Sequence, residues 1–225
     1  MKYTYAKNKY GKYAIPVGME DTIICNSLID GSTIWEGGTL DYIENLTLQG
    51  DIIHAGAFIG DFVPCLSSLV PNYKVICFEP SELNYKACLE TIKINNLDNV
   101  ELHQRVLGEV NSTDKFLDIF KDGNPAGPMS GVSYNEEYGV DIECITLDSI
   151  LDQDRPVALI HLDVEGYEMK ALQGAVNIIK TYTPVLLIEK YREHLQHSFY
   201  NFLLKDLGYV DSGEIGGNTI LISKK

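Results

Sequence analysis

The residues best suited to chemistry are acids that stand just after apolar runs. Asp163 and Glu165 follow Val157-Ala158-Leu159-Ile160-His161-Leu162, and Glu189 follows Val185-Leu186-Leu187-Ile188. Short apolar runs bounded by polar residues read as buried strands. Each acid therefore lies at a strand end, where open parallel sheets bind their ligands. A carboxylate there can orient a hydroxyl group or take its proton. Oxygen ligands also suit Mg²⁺ or Ca²⁺, which would acidify a bound hydroxyl, so Asp163, Glu165 and Glu189 are equally candidate metal ligands. A spacing of two puts Asp163 and Glu165 on one side of an extended chain. Glu168 falls in the first turn of a helix, where the helix dipole favours an acid anyway. His194, shortly after Glu189, is a candidate general base, although an exposed loop histidine is the plainer reading.

A second cluster has the makings of a nucleotide corner. The run Asp51-Ile52-Ile53-His54-Ala55 leads into Gly56-Ala57-Phe58-Ile59-Gly60, and Glu79 ends the next apolar run, Val75-Ile76-Cys77-Phe78. Glycines permit a sharp turn and close approach of a ligand to the main chain. A carboxylate about 20 residues further on can accept hydrogen bonds from ribose hydroxyls. Dinucleotides require three glycines so that a pyrophosphate can pack on the helix N-terminus. Here Phe58 and Ile59 stand where small residues would be needed. S-adenosylmethionine has no phosphate and tolerates that bulk, so the layout favours the methyl donor over a nicotinamide dinucleotide.

Alternating strands and helices must position these groups. Strands are expected at residues 51–55, 74–78, 100–103, 157–162 and 185–188, with helices at 62–70, 81–95, 167–180 and 197–207. Ser81 is a good N-cap for the second of these helices. Such alternation implies an α/β fold with a parallel sheet covered by helices on both faces. Two late strands, near Tyr209 and at residues 219–222, are too close for a parallel crossover and should form an antiparallel edge hairpin. Residues 111–145 interrupt the rhythm as an inserted segment. It contains a turn cluster at Gly123-Asn124-Pro125-Ala126-Gly127-Pro128 and an exposed, alternating strand at Val140-Asp141-Ile142-Glu143-Cys144. Asn124, Ser130, Ser133 and Tyr134 give this segment hydrogen-bonding capacity for selecting an acceptor. Residues 1–50 read as an extension packed on the core, with extended chain at 14–17 and helices at 20–28 and 34–48. Residues 51–225 form the main domain.

Bulk composition narrows the function classes. With 18 basic and 32 acidic residues among 225, the net charge of −14 repels phosphate backbones and disfavours nucleic-acid partners. No stretch approaches the roughly 20 apolar residues of a membrane span, and the first residues lack the pattern of a signal peptide. Five cysteines without a CxxC pair read as buried, reduced thiols of a cytoplasmic protein.

Over residues 51–210 the sequence resembles the FkbM family of methyltransferases. The resemblance is carried by His54-Ala55-Gly56-Ala57-Phe58-Ile59-Gly60, by Phe78-Glu79-Pro80 with Asn84, and by Thr146-Leu147-Asp148-Ser149-Ile150. It continues through His161-Leu162-Asp163-Val164-Glu165-Gly166-Tyr167-Glu168, Leu172-Gln173-Gly174-Ala175 and Pro184-Val185-Leu186-Leu187-Ile188-Glu189, with Ile34-Trp35-Glu36 upstream. It implies the class I methyltransferase fold, S-adenosylmethionine as donor, and an oxygen acceptor on a sugar, glycan or polyketide-like molecule. The donor site it implies comprises Glu36, His54, Gly56, Ala57, Phe58, Ile59, Gly60, Glu79, Pro80 and Asp163. By fold analogy Arg105 and Val106 lie near the adenine.

Two positions depart from the family pattern. His54 stands where the family usually has Asp, and His161 where it usually has Lys. Neighbouring first and fourth strands would put these residues side by side, as a His–His pair replacing an ion pair or as two satisfied core histidines. Three function classes follow: an O-methyltransferase, a methyltransferase-like binding protein without turnover, and a nicotinamide-linked oxidoreductase.

Overall fold

The computed structural model describes residues 1–31, 34, 36–119, 129–132, 139–152, 154–190 and 197–224. A hairpin of β1 (Tyr3–Lys7) and β2 (Lys12–Pro16) precedes two short helices, α1 (Ile23–Ile29) and α2 (Gly37–Glu44). Alternation begins with β3 (Asp51–Ala55), α3 (Val63–Leu69), β4 (Val75–Phe78), α4 (Glu82–Asn95) and β5 (Val100–His103). Four strands follow, β6 (Val106–Leu107), β7 (Ser112–Ile119), β8 (Met129–Val132) and β9 (Val140–Ile145). Then come α5 (Leu147–Ile150), β10 (Val157–Leu162), α6 (Glu168–Gln173), α7 (Val176–Tyr182) and β11 (Val185–Glu189). Helix α8 (Ser198–Lys205) and strands β12 (Tyr209–Ile215) and β13 (Asn218–Ser223) complete the described elements.

The main sheet has seven strands in the order β12-β13-β11-β10-β3-β4-β5. The five central crossover strands run parallel, while β13 pairs antiparallel with β11 and β12 antiparallel with β13. This is the expected open sheet with an antiparallel edge hairpin. Strand order reverses between β3 and β10, which places the ligand crevice beyond their carboxyl ends.

Both faces of the sheet are covered, which explains why its strands read as continuous apolar runs. Ile52, Val75, Cys77, Leu159, Leu187 and Ile220 face a core shared with Tyr13, Ile15, Leu28, Leu40 and Ile43. Described residues of β2, α1 and α2 thus pack directly on the sheet. Ile53, Ile76, Phe78, Ile160, Leu162, Leu186 and Ile188 face the opposite core with α6, α7 and α8. At the far end of the strands, buried Asp51 accepts two bonds from Arg155 (2.8 and 2.6 Å) and one from the Lys74 N–H (2.8 Å), tying β3 to its neighbours.

Two expectations need correction. The single helix at 167–180 is broken into α6 and α7, because Gly174 passes against the Gly108 carbonyl, where a β-carbon would overlap the oxygen. Asp148 restarts the helix by accepting from the N–H groups of Asn177 (2.9 Å) and Ile178 (3.0 Å). The described residues of 111–145 likewise hold more strand than expected, adding β7, β8 and β9 to a second sheet of order β6-β9-β7-β8. The alternating strand at Val140 is β9, paired antiparallel with β7 and parallel with β6. The turn cluster at 123–128 lies outside the described residues.

Gly174→Ala is expected to lower stability by about 2 kcal/mol, since the obstructing atom is backbone and cannot rotate away. Urea denaturation of the two proteins measures this directly.

Candidate active site at the strand switch

The loop after β3 is held by its neighbours. The N–H groups of Gly56 and Ala57 both donate to the Phe78 carbonyl at 3.0 Å, and the Asp163 N–H donates to the Ala55 carbonyl at 3.0 Å. A β-carbon on Gly56 would overlap the Asp163 carbonyl oxygen, and φ there is +84°. Gly60, also at φ +84°, lies against Cys88 and Thr91 of α4. Both glycines therefore have packing reasons in the protein itself, beyond the ligand approach inferred from sequence. Glu79 is buried against this loop, accepting from the Phe58 N–H at 2.8 Å and the Ser81 N–H at 2.9 Å.

Five non-glycine residues have positive φ among the described residues. Asn96 and Thr183 are helix C-caps, an ordinary place for that conformation. The other three are Glu36 (60°), Phe58 (47°) and Glu165 (54°), all at the switch. Backbone strain of this kind concentrates at functional sites. It also corrects one expectation: Glu165 sits exposed in a left-handed turn with Gly166 (φ 94°), so the chain is not extended there. Buried Glu168 organises that turn, accepting from the Val164 N–H (2.9 Å) and the Gly166 N–H (3.2 Å).

Around the loop, acids gather without basic partners. Glu36, Asp61, Asp163 and Glu189 make no ion pair with Lys or Arg among the described residues. Burial, and then the charge of Asp163, pushes Glu36 up to about 7. Burial also lifts Asp61 to about 7, with Asp163 and Glu36 adding to the rise. Asp163 and Glu189 are raised together by burial, Glu189 further because it also feels the charge of Asp163. Burial and the neighbouring charge thus favour a proton on Glu189, and Asp163 is the more readily ionised of the two.

Beneath the loop, His54 and His161 are register partners on β3 and β10. Their Nδ1 atoms are 3.0 Å apart, their planes are within 2°, and Phe62 packs on both rings. Burial holds His54 well below its usual value and His161 at about 4, so both rings are neutral at pH 7.

The switch thus brings together Glu36, His54, Gly56–Gly60, Glu79, Asp163 and Glu189. Pro80 lies alongside, its carbonyl accepting from Gln104 at 3.4 Å. Arg105 is paired with Glu143 at 2.8 Å, and Val106 is buried with Phe116, Ile142 and Tyr167 in the small core of the second sheet. Asp163, Glu165 and Glu189 do not assemble into a metal site: among the described residues no group of three His, Cys, Asp or Glu side chains could hold an ion. His194, Trp35, Asn124, Ser133 and Tyr134 lie outside the described residues. Sequence reasoning missed Asp61, whose only signal is its place after Gly60. It also missed Asn218, which meets Glu36 and Thr39 through long-range folding.

A family model for the methyltransferase FkbM domain matches residues 54–210. The chain belongs to the FkbM methyltransferase family. A protein of Jannaschia sp. (strain CCS1) that carries a methyltransferase designation is 33% identical over 64 residues, 28% of this chain and 23% of that protein. Among solved structures, methyltransferase FkbM from Methylobacillus flagellatus KT is 19% identical, with a TM-score of 0.47, over 77% of this chain and 43% of its own. Trm5b from Pyrococcus abyssi is 12% identical, with a TM-score of 0.53, over 99% of this chain and 55% of its own. This chain spans less than two thirds of each of these three proteins. The family match and the sheet order identify the class I methyltransferase fold, and the nicotinamide reading is set aside.

Asp61→Asn tests the electrostatics of the corner. A carboxyl raised from 3.8 to about 7 keeps its proton in the folded chain after the unfolded chain has lost it, so wild-type stability falls as pH rises through that window. The neutral amide escapes this loss. The variant is expected to be more stable than wild type by on the order of 2 kcal/mol at pH 8–9, with the difference closing toward pH 4, as read by thermal or urea melts.

Proposed function

We propose that this FkbM-family chain transfers a methyl group from S-adenosylmethionine to a hydroxyl oxygen of a sugar, glycan or polyketide-like small molecule. The observation that carries this reading is Glu79, fixed at the end of β4 by the Phe58 N–H at 2.8 Å, with Asp163 at the end of the adjoining crossover. Glu79 holds the ribose hydroxyls, and Gly56–Gly60 with Pro80 line the adenosine. Among the described residues Glu36, Asp61 and Asp163 form an acidic corner with no Lys or Arg ion pair, which suits a ligand bearing an ammonium and a sulfonium.

When bound, the donor supplies an electrophilic methyl carbon on a positively charged sulfur. The protein must bring an acceptor oxygen in line with that carbon and receive the hydroxyl proton. Asp163 is the proton acceptor, as the more readily ionised of the pair it forms with Glu189. Asp163 would take the acceptor's hydroxyl proton, and the donor held by Glu79, Gly56–Gly60 and Pro80 would supply the methyl group to that oxygen and leave as the thioether. S-adenosylhomocysteine is the coproduct. The net charge of −14 favours an uncharged or cationic acceptor over a nucleic acid. The five free cysteines are all buried, which suits a reducing, cytoplasmic setting. No helix among the described residues is long and apolar enough to cross a membrane.

Calorimetry with S-adenosylhomocysteine should show saturable binding, weakened at least about tenfold by Glu79→Ala. No binding by the wild type would refute the donor assignment. With radiolabelled donor at saturation and a panel of sugars and glycans, Asp163→Asn should lower turnover about 100-fold. Wild-type turnover should rise with pH through about 6, as Asp163 loses its proton. Donor binding without methylation of any acceptor would instead favour a binding protein.

A further inference from the structure

Glu36 opens α2 at φ 60°, yet its side chain makes no capping bond to that helix. The residue in this position usually bonds the free N–H groups of its own first turn. Glu36 Oε2 instead meets Asn218 Nδ2 at 3.2 Å, across 182 positions of sequence. Asn218 begins β13 as register partner of Glu189 on β11, and the Lys190 N–H donates to the Gly217 carbonyl at 3.0 Å. The amide therefore reaches Glu36 from a strand fixed in the main sheet.

Its orientation is set by its nitrogen. Nδ2 lies 3.2 Å from Glu36 Oε2, 3.2 Å from Thr39 Oγ1 and 3.3 Å from the Gly216 carbonyl. Thr39 is an acceptor here, because its hydroxyl donates to the Ile215 carbonyl at 3.4 Å. Turning the amide over would aim its oxygen at a carboxylate and a carbonyl. Oδ1 is buried without a hydrogen-bond partner, so nothing on that side competes for the amide. The same turn interlocks with α2: Gly38 lies beside the Ile215 side chain, and a β-carbon on Gly216 would overlap Thr39 Oγ1.

We propose that Asn218 is a positioning residue, which holds Glu36 from the sheet edge as a carboxylate turned to the ammonium group of the methyl donor. The ammonium rests on the donor reading above; the grip of Asn218 on Glu36 does not. Other titratable groups surround Glu36. Asp163 stands at the end of β10 and Asp61 just before α3, while the Lys190–Glu214 ion pair on the hairpin side is solvent-exposed. Glu189, beside Asn218, favours its protonated form, and both histidines are neutral. Burial and the charge of Asp163 favour a proton on Glu36, lifting it to about 7, and the Asn218 N–H opposes them. A hydrogen bond donated to a carboxylate stabilises its ionised form. Lys or Arg at this position would do the same but cancel the charge that a cationic ligand seeks. A neutral amide keeps Glu36 ionised and leaves its charge available.

Carboxyl ¹³C NMR of the ligand-free protein, with the Glu36 signal assigned by Glu36→Gln, tests the grip alone. Glu36 should titrate near 7 in wild type and at distinctly higher pH in Asn218→Leu. An equal midpoint in both overturns the proposal, whatever the ligand. Calorimetry with S-adenosylhomocysteine, which carries the same ammonium, tests the end point. Measured against wild type at each pH, Asn218→Leu should bind about tenfold more weakly at pH 6.5 and within about twofold at pH 8.5. An equal loss at both pH values marks a purely structural role and overturns the proposal, as does no loss at either. In a Glu36→Gln background the same substitution should weaken binding less than about twofold at pH 6.5, and a full tenfold loss there defeats the link to Glu36. Failure of the wild type to bind defeats the donor reading, while the NMR comparison still decides the grip. Should Asn218→Leu fail to fold, Asn218→Ala removes the same N–H and must give the same pH dependence. In the wild type itself, saturating ligand should keep Glu36 ionised from pH 6 to 8, and a Glu36 titration unmoved by the ligand overturns the proposal.

Discussion

The carbonyl oxygen of Asp163 sits where a side chain on residue 56 would otherwise be. That closeness joins the ends of β3 and β10, the two strands between which the sheet reverses its order. It demands glycine at position 56 and anchors the Asp163 backbone through the Ala55 carbonyl at 3.0 Å. It also brings Glu79 and Asp163 to the same edge of the sheet. A glycine first read as room for a ligand is thus equally room for the protein, and one constraint serves both the fold and the site.

The electrostatics follow from this convergence. Burying carboxyls together raises the proton affinity of each, and no described basic side chain neutralises them. Glu36 and Asp61 are held near 7, and a proton is favoured on Glu189, which leaves Asp163 the more readily ionised. The corner thus has a standing preference for positive charge. The histidine pair below contributes none, because burial keeps both rings neutral.

Much of this was legible in the chain. The runs before Gly56, Glu79, Asp163 and Glu189 announced buried strands, and the side-by-side placement of His54 and His161 followed from sheet order. What escaped depends on atoms distant in sequence. Gly174 sits inside a helical pattern, and only the Gly108 carbonyl explains the break there. Glu165 has an extended-looking spacing from Asp163, yet Glu168 folds the intervening backbone into a left-handed turn. Asn218 carries no local signal, because its partners Glu36 and Thr39 lie 182 and 179 positions away. Periodicity reports local structure, and none of these contacts is local.

The reach of Asn218 has a consequence for how the molecule comes into being. Glu36 leaves the ribosome before the side chain that grips it, which is made 182 residues later. Until β13 slots between β11 and β12, nascent polypeptide can assemble most of its sheet without a finished ligand corner. Anything that binds there also clamps the β12–β13 hairpin, so ligand and hairpin docking stabilise one another. Maturation of the site therefore waits on the docking of that hairpin.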